Sequence, residues 1–319
     1  MKLSVVIPAY NEDAIIEQSV KKMVQVLDRG KYNWELIVVD DGSTDRTGKI
    51  LDSLKKKYRK LVVLHHKVNR GRGGAIKTGF AAATGDYVFV SEADLRWDPK
   101  TLLPKMLKKM EEEDADIVTA SPFLPGGGYV AVPRYRIFLS NVGNKLFSFA
   151  MGKKLTFFTG STRLYKKKIL DSIDMVSDEK DLHLEIISKA RDSGYKICEV
   201  PGTINWTPPK GTVRRKTTTK IKKAAIKHLL FSFSEAPILF VGAIAAIFIL
   251  LGLGIAVYLI PAYLAGGLNP DRPLVTLMVL LFVIGVQTLV FWFLARQNVE
   301  LRKQLVRMQR DVLELKKKK

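Results

Sequence analysis

The sequence predicts an α/β domain with a Rossmann-like, mainly parallel sheet and flanking helices. A C-terminal two-helix transmembrane hairpin and a short coiled-coil-like tail follow it. Three observations predict this. Short apolar runs alternate with helix-length amphipathic stretches from Lys2 to about Pro201. Two long apolar segments near the C-terminus lack charged residues. The last residues repeat apolar side chains at alternating spacings of four and three.

The first strand is Leu3-Ser4-Val5-Val6-Ile7, stopped by Pro8, and Asp13 to Asp28 reads as a helix. Glu35-Leu36-Ile37-Val38-Val39 is the second strand and ends in Asp40-Asp41-Gly42. Asp45 to Lys57 is a helix, Leu61 to Leu64 a third strand, Ala75 to Ala83 a third helix. Tyr87 to Val90 is a fourth strand and runs into Glu92-Ala93-Asp94. In such sheets ligands bind beyond the carboxyl ends of the strands, where these acidic clusters fall.

Two apolar spans are expected, at about 237–259 and 274–295, each with the roughly 20 residues needed to cross ~30 Å of hydrocarbon. Neither has the polar face of a soluble core helix. Basic residues crowd the outer flanks, from Lys216 to Lys227 and at Arg296, Arg302 and Lys303. The positive-inside rule then places a 1–215 catalytic domain and the 296–319 tail in the cytoplasm, as parts of a multi-pass protein of the cell membrane. Residues 216–235 read as a basic interfacial amphipathic helix. Leu301, Leu305, Met308, Val312 and Leu315 form a seam of just over two heptads. The hairpin and this seam are candidate contacts for a homo-oligomer.

The chain has 319 residues, a formal net charge of +21 and one cysteine, Cys198, so no internal disulfide forms. Such a charge favours phosphate-rich partners or an anionic membrane face. No nucleic-acid-binding module is recognisable, so nucleic acid is not an expected partner. The start of the chain does not read as a signal peptide, because Pro8 breaks its short apolar run. The four histidines suggest no catalytic triad, and most read as surface or packing residues.

Three stretches carry the chemistry. A carboxylate at Asp40 or Asp41 can accept hydrogen bonds from a base or ribose, although the following Ser43 and Thr44 also suit a plain helix cap. Asn69-Arg70-Gly71-Arg72-Gly73-Gly74-Ala75 reads as a glycine-rich turn before a helix, offering N–H groups and two arginines to a diphosphate. Glu92 and Asp94 can hold Mg2+ or Mn2+, which would bridge substrate phosphates.

Together these stretches resemble the family-2 glycosyltransferases, which have the GT-A fold. The matching residues are Val5 to Glu12, Val38 to Asp45, and Asn69-Arg70-Gly71 with Gly73-Gly74-Ala75. More narrowly, the chain is similar to dolichyl- or polyprenyl-phosphate mannose or glucose synthases. Gly160 to Tyr165, Glu185 and Glu199-Val200-Pro201 fit that group, as does the hairpin. The resemblance implies a nucleotide diphosphate sugar as donor and dolichyl or polyprenyl phosphate as acceptor. It places Pro8, Ala9, Tyr10, Glu12, Asp40, Asp41, Arg70, Gly71, Gly74, Glu92, Ala93 and Asp94 around the donor. Glu92 and Asp94 stand at its metal-binding pair. Arg134, Arg136 and Asn141 fall in the acceptor-phosphate region, and Arg214, Arg215 and Lys216 in a basic loop. Asp94, Arg134 and Arg136 are the implied catalytic residues.

Three positions depart from that pattern. Glu92 replaces an aspartate, Arg96 stands where the group often has glutamine, and Pro122 where many members carry arginine. A glycan acceptor is the competing enzyme reading, with Glu185 as base. A catalytically silent membrane scaffold is the reading from another class.

Overall fold

The computed structural model describes residues 1–150, 155–179, 181–207, 237–266 and 273–317. The chain divides into two compact units, Met1–Thr218 with Val306–Lys319, and Thr219–Leu305. The expected interfacial helix at 216–235 and the Arg214, Arg215, Lys216 loop lie outside the described residues.

In the first unit, β1 (Lys2–Ala9), α1 (Ile16–Arg29), β2 (Asn33–Asp40), α2 (Thr47–Lys57), β3 (Leu61–His65), α3 (Gly71–Ala82) and β4 (Tyr87–Val90) follow in strict alternation. They continue into α4 (Pro99–Glu112), β5 (Ile117–Ser121), β6 (Gly128–Val130), α5 (Arg134–Ala150), β7 (Arg163–Lys166), α6 (Lys167–Ser172), α7 (Leu182–Asp192), β8 (Ile197–Pro201) and β9 (Thr203–Asn205). Seven strands form one sheet in the order β3-β2-β1-β4-β7-β5-β8. Only β7 runs antiparallel to its neighbours. Strands β6 and β9 make a separate two-stranded ribbon.

Central β1 is buried on both faces, which is why it reads as a continuous apolar run. α1 lays Ile16, Val20, Met23 and Leu27 onto the sheet at helical spacing. α3 comes closer still. A Cβ on Gly79 would stand 2.3 Å from Val6 Cγ1, so this crossing admits only glycine. β1 and β4 share a sheet edge from Leu3↔Tyr87 to Val6↔Val90, which brings the loops after both strands to the same end.

The expected boundaries shift in informative places. α1 begins at Ile16 rather than Asp13, because the loop at 10–13 is bonded to the segment after β2. α3 begins at Gly71 rather than Ala75, so Gly73 and Gly74 lie within its first turn and are not a turn preceding it.

In the second unit, α8 (Pro237–Leu264) and the start of α9 (Pro273–Lys317) are the two apolar helices. Val241–Leu264 and Pro273–Leu301 are long and apolar enough to span a membrane. Gly242 lies against Trp292, Gly252 against Phe282, and Gly285 against Ile249. Advancing from Gly242 to Gly252 therefore means stepping back from Trp292 to Phe282, the register of an antiparallel pair packed through small residues. α9 continues past the apolar stretch without a break. Leu301, Leu305, Met308 and Val312 are exposed on it.

Candidate active site

Three loops meet beyond the carboxyl ends of β1, β2 and β4. The loop after β1 is tied to the loop after β2. Asn11 N donates to Ser43 Oγ at 2.9 Å, Thr44 N to Asn11 Oδ1 at 2.8 Å, and Glu12 N to Thr47 Oγ1 at 2.8 Å. Asn11 takes a left-handed φ of 52°, a conformation asparagine tolerates well. Pro8 and Ala9 are in register with Val39 and Asp40, and Tyr10 is left exposed at the mouth. Pro8, Ala9, Tyr10 and Glu12 therefore lie together at the carboxyl end of the sheet, beside Asp40.

Asp40 and Asp41 are both buried, and each is held by a histidine. Asp40 Oδ2 lies 2.9 Å from His65 Nδ1, and Asp40 Oδ1 accepts from Ser43 N at 3.1 Å. Asp41 Oδ1 lies 2.7 Å from His66 Nδ1 and accepts from Arg70 N at 2.9 Å. His66 reaches on to Thr78 Oγ1, His65 to Asp52. This corrects the expectation that these histidines are plain surface or packing residues. The available signal was register: His65 ends β3 directly beside Asp40 on β2. His183, by contrast, is a buried packing residue.

Burial draws the His65 pKa down, but hydrogen bonds to Asp40 and then Asp52 outweigh it, and the net shift is upward. A raised folded value means that the contribution is complete below the ordinary histidine value of 6.5 and is lost as pH rises through the folded value. Replacing His65 with glutamine is expected to flatten that loss, measured as Tm against pH from 5.5 to 8.5.

The glycine-rich segment differs from the expected phosphate cradle. Gly74 N donates to Asp178 O at 3.0 Å, and Gly71 N to Asn69 Oδ1 at 3.2 Å. A Cβ on Gly73 would stand 2.6 Å from Asp178 C and 2.6 Å from Glu179 O. These glycines admit the 178–179 backbone against the start of α3, and Lys77 Nζ pairs with Asp178 at 2.6 Å. One side chain of this segment faces the carboxylates: Arg72 Nη1 lies 2.7 Å from Glu92 Oε1.

Glu92 also accepts from Ser161 Oγ at 2.6 Å, a contact delivered by the antiparallel strand β7. Asp94 Oδ2 lies 2.7 Å from Arg96 Nε. Buried Ala93 between them turns its carbonyl to Ser19 Oγ. Burial opposes ionisation of Glu92, but the charge of Arg72, the Ser161 hydroxyl and Arg96 hold its pKa below the usual range. Asp94 moves upward, from burial and from the charge of Glu92, even with Arg96 alongside. The two neighbouring carboxylates repel each other, which is part of why Asp94 moves upward, and a divalent cation between them would relieve that repulsion. Two carboxylates with phosphate and water oxygens are an ordinary Mg2+ or Mn2+ donor set, so the residues fit such an ion. Among the described residues no cluster of three His, Cys, Asp or Glu side chains adds a further protein ligand.

Arg134 and Arg136 open α5. Arg134 is exposed, Arg136 half-buried, and Asn141 lies further along the helix. The Arg136 guanidinium lies 4.5 Å from the Trp206 ring centroid, and that of Arg96 lies 4.6 Å from the same centroid. Sequence reasoning missed Trp206, which follows β9 in a stretch without motif. α5 also exposes Tyr135, Phe138, Leu139 and Val142, an apolar stripe at helical spacing.

Glu185, the candidate base of the glycan reading, accepts from Val176 N, Ser177 N and Lys189 Nζ. Burial opposes its ionisation, but Lys189 and these amides prevail, and its pKa falls. It is a staple for the 174–177 loop and a poor proton acceptor.

The family model described as Glycosyl transferase family 2 matches residues 4–174, more than half of the chain. The chain belongs to glycosyl transferase family 2. Among curated proteins, this family 2 chain is 28% identical over 232 residues to a dolichol-phosphate mannosyltransferase of Pyrococcus furiosus, covering 72% of the chain and 62% of that protein. It is 28% identical over 214 residues to glycosyltransferase AglD of Haloferax volcanii, covering 65% of the chain and 33% of that protein. The chain therefore spans less than two thirds of the length of either relative. Among solved structures, glucosyl-3-phosphoglycerate synthase from Mycobacterium tuberculosis, in complex with phosphoglyceric acid, superposes with a TM-score of 0.56 at 19% identity. That match covers 74% of this chain and 80% of the other and shows the shared GT-A fold. The same enzyme has been solved with Mn2+, UDP and glucosyl-3-phosphoglycerate, at a TM-score of 0.55 and 18% identity, over 74% and 80% of the two chains.

Proposed function

We propose that this protein transfers one hexose from a nucleotide diphosphate sugar to dolichyl or polyprenyl phosphate at the cytoplasmic face of the cell membrane. The observation that carries this reading is that Glu92 pairs with Arg72 and Asp94 with Arg96, and that Arg96 shares the Trp206 ring with Arg136, at the root of a helix with an exposed apolar stripe. A carboxylate pair suits a diphosphate donor, an arginine a phosphate acceptor, and an apolar stripe a lipid surface. Mannose from GDP-mannose is the favoured donor, supported by the name of the Pyrococcus furiosus relative, with UDP-glucose second.

The acceptor phosphate oxygen attacks the anomeric carbon on the face opposite the diphosphate. A carbon–oxygen bond forms there as the bond to the leaving diphosphate breaks, its electron pair departs with the diphosphate, and configuration inverts. The attacking phosphate is already ionised, so no strong base is required, and the work is alignment and charge stabilisation. Pro8, Ala9, Tyr10 and Glu12 border the nucleotide, and Asp40 and Asp41 present their remaining lone pairs to it. Arg70 and Arg72 line the diphosphate side, where Gly71 and Gly74 let the segment at Asp178 close against the start of α3. Glu92 and Asp94 would hold Mg2+ or Mn2+, which would supply positive charge to the leaving diphosphate. Arg134, Arg136 and Asn141 receive the acceptor phosphate, joined by Arg214, Arg215 and Lys216. The apolar helices anchor the catalytic domain and the C-terminus on the cytoplasmic side, and the hairpin and heptad tail join copies of the chain.

The test supplies the purified protein with undecaprenyl or dolichyl phosphate, Mn2+ or Mg2+, and a panel of radiolabelled nucleotide sugars. Label from a single donor, strongest with GDP-mannose, is expected in the organic phase. A folded enzyme that moves no sugar from any donor refutes the proposal.

A further inference from the structure

We propose that Trp206 is a positioning residue that couples the donor and acceptor sides of the site by carrying both Arg96 and Arg136 on its indole. This rests on the acceptor-phosphate reading of Arg136 given above.

The two guanidinium groups come from distant parts of the chain, one from the loop after β4 and one from the start of α5. They repel each other, yet both lie over one ring, at 4.6 Å and 4.5 Å from its centroid. The electron-rich indole face offsets part of that repulsion and orients two planar cations that would otherwise sample many rotamers. The main chain that carries the ring is tied on both sides. Trp206 N donates to Val130 O at 2.9 Å, and Asn205 N donates to Arg96 O at 2.9 Å. Arg96 Nε holds Asp94, the donor-side carboxylate. Arg136 Nε donates to Tyr135 Oη at 3.0 Å and, among the described residues, forms no ion pair with a carboxylate. The platform therefore carries one charge matched by protein and one left for an anion.

A purely structural tryptophan would join the neighbouring aromatic cluster, in which Phe123 packs edge to face on Tyr129 and Phe157, and Trp97 packs tilted on Phe157. Trp206 makes no ring contact of that kind among the described residues and remains half-buried. Its faces serve cations. Movement of Arg136 on binding a phosphate would be felt through the ring by Arg96 and thus by Asp94.

The experiment uses the full chain in detergent and measures binding of two probes. Farnesyl phosphate reports the acceptor side, with farnesol as its control. GDP and UDP, each with Mn2+, report the donor side. Trp206→Leu is expected to weaken farnesyl phosphate and the preferred nucleotide diphosphate by about tenfold each, at unchanged Tm. Trp206→Phe, which keeps a π face, should stay within about twofold of wild type. If Trp206→Leu does not fold, Arg136→Lys, which keeps charge without a stacking plane, must weaken farnesyl phosphate to a similar degree. Equal loss in the leucine and phenylalanine variants, loss on one side only, or no loss in either overturns the coupling role. Failure of the wild type to prefer farnesyl phosphate over farnesol overturns the acceptor reading and this inference with it.

Discussion

Asp94→Ala is expected to lower hexose transfer by on the order of a thousandfold while leaving the protein folded. The carboxylate is one of two that leave β4 together, and Glu92 is already committed to Arg72 and Ser161. Removing Asp94 takes away the partner of Arg96 and, on the proposed mechanism, a ligand for the cation. The side chain is partly exposed, so the fold loses little. Asp98→Ala is the matched control: its ion pair with Lys22 is exposed on both sides. Such surface pairs contribute at most about 1 kcal/mol, so activity and Tm should both stay near wild type. Initial rates with labelled donor, together with a thermal melt, measure both variants. Wild-type rates in Asp94→Ala would remove this carboxylate from the mechanism.

Gly73→Val should lower stability by about 2–3 kcal/mol, because its Cβ meets backbone at 2.6 Å, and backbone cannot rotate away. For a domain of this size that corresponds to a Tm lower by roughly 5–10 °C. The physical event is expulsion of the 178–179 segment from the start of α3, with loss of the Gly74 N to Asp178 O hydrogen bond. Gly128→Ala, where added atoms meet nothing within 4 Å, is expected to melt like wild type. The comparison separates two roles for the glycine-rich segment. A lower Tm means that the glycines are there for close packing. An unchanged Tm with weaker nucleotide binding would return them to the role of phosphate cradle.

Much of the sheet was legible because β1 to β4 and their helices alternate locally, and the ends of β1, β2 and β4 carry proline or acidic markers. Glu92 and Asp94 were legible for the same reason, being adjacent in sequence and directly after β4. The site's supports were not, because they arrive from elsewhere in the chain. Ser161 reaches Glu92 only because β7 is inserted antiparallel beside β4, a pairing that no local pattern announces. His65 and His66 reach Asp40 and Asp41 through the register of parallel neighbours. Trp206 follows a three-residue strand in the small ribbon, too short to leave a periodic trace. The start of α3 was misplaced because glycine, a poor helix former, occupies its first turn, and tertiary contact with Asp178 overrides that propensity.

The central claim is that a lipid phosphate accepts the sugar, and acceptor competition tests it most directly. The full chain is given one labelled donor and three acceptors in parallel: polyprenyl phosphate, the matching polyprenol, and a polyprenyl-diphosphate-linked sugar. The account predicts label on polyprenyl phosphate alone, because the acceptor phosphate is already ionised and Glu185 is spent on the 174–177 loop. Label on the alcohol or on the linked sugar, with none on the phosphate, would contradict it.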